Sequence, residues 1–122
     1  MIEFINSEKL GKTKPLATDI LLTFKDEGVT NEQFTFLKER LDFYRMDINS
    51  EYVMKSHIDY DKSSETVLIG VTITIPDRLI PKNHAKLTKL IMDLERGFLK
   101  FYEEKANVQL NQLNHSKLQR TQ

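Results

Sequence analysis

The chain has 122 residues, 39% hydrophobic and 30% charged, with eighteen basic side chains balancing eighteen acidic ones. Such a composition suits one folded domain with a modest core, and the zero net charge argues against a strong general nucleic-acid binder. The absence of cysteine excludes a disulfide framework or thiolate chemistry, and no apolar run approaches the ~18 residues that would suggest a bilayer-spanning helix.

The first residues, Met1-Ile2-Glu3-Phe4-Ile5-Asn6, lack the basic-then-apolar order of a secretory signal and read as a short strand. With no cysteine, the expected location is the cytoplasm. Residues 7–17 carry Gly11, Pro15 and several lysines and read as a loop. Ile20, Leu21, Leu22 and Phe24 then make a compact apolar run of strand length. Lys25-Asp26-Glu27-Gly28 follows as an expected turn.

A first helix has a well-marked start. Thr30 and Gln33 fit a capping box, and Val29 and Phe34 stand where a hydrophobic staple would place them. Phe34, Leu37, Leu41 and Tyr44 recur at spacings of three and four, so a helix is expected from Asn31 to about Met46. Phe36 and Phe43 fall nearly opposite Phe34 on the wheel, seven residues apart, with Arg40 among the charged residues around them. Two readings follow. Another element covers them, or they form an aromatic anchor with a charged rim for a protein partner.

Residues 51–75 read as a hairpin. Val67, Ile69, Val71, Ile73 and Ile75 alternate with Leu68, Gly70 and threonines, and Tyr52, Met54, Ile58 and Tyr60 alternate with polar residues. With Lys62-Ser63-Ser64-Glu65 as the loop, Tyr60 faces Val67, Ile58 faces Ile69 and Met54 faces Ile73. A one-residue slip would turn one arm inside out. His57, Asp59 and Asp61 share the polar face, but same-face neighbours stand ~7 Å apart, too far for joint ligation by a straight strand. No phosphate loop or paired-histidine motif accompanies them. The expectation is a protein without enzymatic activity, metal or cofactor.

Pro76 closes the last strand, and Leu79-Ile80-Pro81 leads into a second helix expected from Lys82 to about Asn114. At 1.5 Å per residue that helix is ~50 Å long, so it either breaks near Lys105-Ala106-Asn107 or runs past the domain. Residues 107–122 are expected as an extended or frayed end. The apolar stripe continues through Leu110 and Leu113, which makes them candidates for homodimerisation. Residues 81–122 hold eight basic and four acidic side chains. Lys82, Lys86 and Lys89 are accordingly the candidates for contacting nucleic acid, the alternative partner.

The expected fold is α+β: a small antiparallel or mixed sheet in βαββα order, with an N-terminal strand besides. Two helices pack on its apolar face, and the C-terminal one is long. The expected function is a small binding protein, homodimeric and engaging a protein partner. Compact, motif-poor, lysine-rich chains of this kind are common among adaptors, inhibitors and regulators, those of phages and mobile elements included.

Overall fold

A computed structural model describes residues 2–11, 15–41 and 49–120, the side chains of 105–120 excepted. Along the chain come β1 (Ile2–Gly11), β2 (Ala17–Glu27), α1 (Asn31–Leu41), β3 (Val53–Asp61), β4 (Thr66–Pro76), a 3-10 turn (Asp77–Leu79) and α2 (His84–Arg120). The four strands form one antiparallel sheet in the order β1-β2-β4-β3.

Alternation explains the two central strands. On β4, Val67, Ile69, Val71, Ile73 and Ile75 are buried. Opposite them on β2 lie Asp26, Phe24, Leu22, Ile20 and Thr18, all buried as well. A strand flanked on both sides and covered on one face should carry β-branched residues at every second position. β3 meets β4 with Tyr60 opposite Val67, Ile58 opposite Ile69 and Met54 opposite Ile73, and the loop between them is residues 62–65. The hairpin register expected from alternation is the one observed.

α1 begins as its sequence indicates. The Gln33 amide N–H donates to Thr30 Oγ1 at 3.2 Å, and the Thr30 N–H donates to Gln33 Oε1 at 3.0 Å. Each side chain satisfies a backbone donor that the first helical turn leaves open. Leu37 and Leu41 are buried. Phe34 stacks on Tyr60 with ring centroids 4.5 Å apart, and Tyr60 Oη donates to the Val29 carbonyl at 2.6 Å. These contacts hold the start of α1 against β3. The expected continuation of α1 through Tyr44 to Met46 lies outside the described residues.

α2 starts two residues later than expected. Asn83 precedes its first turn, and its Oδ1 accepts from the Lys86 N–H at 3.2 Å, the bond of an N-cap. Lys82 therefore stands before the helix rather than on it. From there Leu94, Phe98 and Tyr102 reach the core, where the Phe98 ring lies 4.5 Å from that of Phe24. Phe98 of α2 thus meets Phe24 of β2, and Phe34 of α1 meets Tyr60 of β3.

The N-terminal third differs from expectation. β1 extends to Gly11, although residues 7–11 lack apolar alternation. An edge strand exposed on both faces has no need of it, and the register shifts between Phe4 and Asn6 and between Lys9 and Gly11 break the pattern further. β2 likewise runs through Lys25-Asp26-Glu27. Lys25 and Glu27 share the uncovered face, their charges 2.8 Å apart, while Asp26 turns to the core. The reversal falls at Gly28, whose φ of 73° suits glycine.

Candidate functional site

The sheet has a second face, opposite the one that carries Val67, Ile69, Val71, Ile73 and Ile75. Across it β4 presents Thr74, Thr72, Gly70, Leu68 and Thr66, and β3 presents Val53, Lys55, His57, Asp59 and Asp61 beside them. Val53 and Leu68 are about half exposed, at 49% and 47%. Leu21 of β2 leans toward Gly70, where a Cβ would lie 3.4 Å from its Cδ1.

His57, Asp59 and Asp61 do not converge. His57 Nε2 lies 3.2 Å from Asp59 Oδ1, both side chains being largely exposed. Asp61 turns instead to the hairpin loop, where its Oδ1 accepts from the Ser63 N–H at 3.0 Å and from the Ser63 hydroxyl at 2.7 Å. Those hydrogen bonds, the serine hydroxyls first, hold the Asp61 carboxyl below its ordinary pKa. Among the described residues no group of three or more histidines, cysteines or carboxylates could hold a metal ion. The ~7 Å same-face spacing is bridged by side-chain length for one pair, but not for three residues together.

On α1 the Arg40 guanidinium carbon sits 3.9 Å from the centroid of the Phe36 ring, so this cation caps the aromatic face. Phe36 is half-buried and packs against the edge of the core. Phe43, expected on the same line, lies outside the described residues. Near the start of α2, Lys82, Lys86 and Lys89 are all exposed.

The far end of α2 follows from a contact that sequence reasoning missed. Tyr102, 2% exposed, donates from its hydroxyl to Asp26 Oδ2 at 2.6 Å. Asp26 is the last residue but one of β2, so α2 reaches the end of that strand at Tyr102. It then continues as helix from Glu103 to Arg120, about 27 Å at 1.5 Å per residue. The helix runs through Lys105-Ala106-Asn107 as one span from His84 to Arg120. Leu110 and Leu113 belong to this stretch, their side chains outside the described residues. No helix among the described residues is long and apolar enough to cross a membrane.

Neither a protein-family model, nor a curated protein, nor a solved structure matches this chain. What can be said of its function rests on its own surfaces.

Proposed function

We propose that this is a small non-enzymatic binding protein, an adaptor, inhibitor or regulator, which self-associates through the C-terminal part of α2. The observation that carries this is the length of α2 beyond Tyr102. Isolated helical extensions are marginal in water without tertiary packing. This one has Ala106, Leu110 and Leu113 at spacings of four and three, the spacing of a two-helix seam. A second copy supplies the matching seam. Phe36 under Arg40 is the contact offered to a protein partner.

Leu110→Gln together with Leu113→Gln tests the seam in the full chain, since glutamine retains helix propensity. The molar mass from light scattering at micromolar concentration should fall by half, with little change in the melting of the sheet. An unchanged mass would overturn this reading. Contact with nucleic acid through Lys82, Lys86 and Lys89 is the alternative, supported by their exposure at the start of α2.

A further inference from the structure

The sheet order leaves two edges, β1 and β3. β1 is broken by two register shifts, a common way of blunting an edge. Its open face carries Glu3 and Glu8, opposite Lys25 and Leu21 of β2. β3 is different. It pairs with β4 residue for residue from Val53 to Asp61, without a bulge or a proline. No strand lies on its other side among the described residues. An unbroken edge of this kind is a template for another strand.

The open-face side chains of β3 run Lys55, His57, Asp59, Asp61: basic first, acidic second, all exposed. An antiparallel copy with Ile58 opposite its own twin sets Lys55 against Asp61 and His57 against Asp59, each pair occurring twice by symmetry. On the covered face Ser56 then meets Tyr60, and Ile58 meets Ile58, so the half-buried rim of the core continues into the copy. Sliding the copies by two residues sets His57 or Asp59 against itself. Sliding by one turns a strand's faces over. Opposite charges at directly paired positions stabilise a sheet and like charges weaken it.

We infer that β3 is a second self-association edge, occupied by another copy of this chain paired antiparallel about Ile58, which makes one continuous sheet of twice the width. The edge is separate from α2 and does not depend on the seam proposed there. With both surfaces in use, the full chain assembles beyond a dimer.

The test combines two double variants of the full chain in light scattering. Lys55→Glu with His57→Glu puts acid opposite acid at all four charged pairs, and should weaken this edge by roughly tenfold or more. In the Leu110→Gln, Leu113→Gln background the assembly should fall to a dimer, and adding the β3 changes should make it a monomer. If the α2 variant is already monomeric, the β3 edge is refuted while the α2 seam stands. If the β3 variant alone becomes monomeric, the edge stands and the seam is refuted. Register is read separately, because the chain has no cysteine of its own. Ile58→Cys should form a disulfide dimer under mild oxidation, because the pairing sets its two copies directly opposite each other and a small approach of the strands closes the bond, whereas Val53→Cys should not. Equal rates at the two positions, or no dimer from Ile58→Cys, would overturn the pairing.

Discussion

Tyr102 and Asp26 stand 76 residues apart in the chain and share a 2.6 Å hydrogen bond inside the core. The bond fastens the long C-terminal helix to the end of a central strand, and it gives a buried carboxylate a strong donor. Tyr102→Phe keeps the ring packing against Phe98 and removes that donor. Hydrogen bonds to charged groups contribute about 1.5–3 kcal/mol, so the variant should lose about that much stability in urea denaturation. A loss under about 0.5 kcal/mol would mean that the bond adds little to the packing around it.

The same tyrosine gives an alkaline signature. Burial, then the hydrogen bond to Asp26 and that carboxylate's charge, push its pKa far above the ordinary tyrosine value. In the unfolded chain tyrosine gives up its proton near pH 10 (about 10 in model peptides), while folded Tyr102 keeps it. Above that pH the unfolded state binds fewer protons than the folded one, so stability falls as pH rises. This contribution is fully present below about pH 10 and fades above it. Tyr102→Phe lacks the group, and its urea midpoint should decline less steeply between about pH 9 and 11. Parallel curves for the two proteins would contradict this account.

Phe36 is half-buried with Arg40 over its face, a position between core and surface. Phe36→Ala should therefore cost about 1–2 kcal/mol, below the ~3–5 kcal/mol of a fully buried phenylalanine. Arg40→Ala should cost less than about 1 kcal/mol, the usual scale of an exposed cation–π contact. A loss of about 3 kcal/mol or more on removing Phe36 would mark it as core and end its role as a docking residue.

Nucleic-acid contact through the α2 lysines has a salt signature. If it occurs, affinity for duplex or single-stranded DNA or RNA should fall steeply as salt rises, and Lys82→Gln, Lys86→Gln and Lys89→Gln together should flatten that slope. No binding at ~50 mM salt, where screening is weak, would eliminate it. Zinc and manganese added to the same sample should leave the melting temperature unchanged, as His57, Asp59 and Asp61 do not converge.

The hairpin was legible to the residue because a buried face demands alternation, and alternation admits one register between Tyr60 and Val67. The start of α1 was legible because Thr30 and Gln33 satisfy local donors, which needs no knowledge of the rest of the fold. The second half of β1 was not. Ser7, Glu8 and Lys9 form an edge strand whose backbone pairs with β2 while their side chains stay exposed, so nothing in their pattern reports the pairing. Asp26 was misread for a related reason. A carboxylate beside Lys25, Glu27 and Gly28 has the composition of a turn, and the hydroxyl that satisfies it lies on a helix far along the chain. Of the surfaces, the lysines, Phe36 and Arg40 could be named from the sequence, but the contact of Arg40 with the Phe36 ring could not. The charge order along the β3 edge acquires meaning only once β3 is known to be an edge.

The position of β4 between β2 and β3 sets the order in which this chain can fold. β3 and β4 meet across a short loop, an event of microseconds for a hairpin. β2 must find β4 across α1 and the hairpin together, as with Asp19 and Thr74, hydrogen-bonded at a separation of 55 residues. Closing that loop brings no reward until the hairpin presents Ile69, Val71 and Ile73 as a template. Truncations within the hairpin, such as Ile69→Val, should accordingly slow folding, while those where α2 docks, such as Leu94→Ala, should mainly speed unfolding. Stopped-flow kinetics of the two variants would separate these effects, and the reverse assignment would show that the helix docks before the sheet is complete.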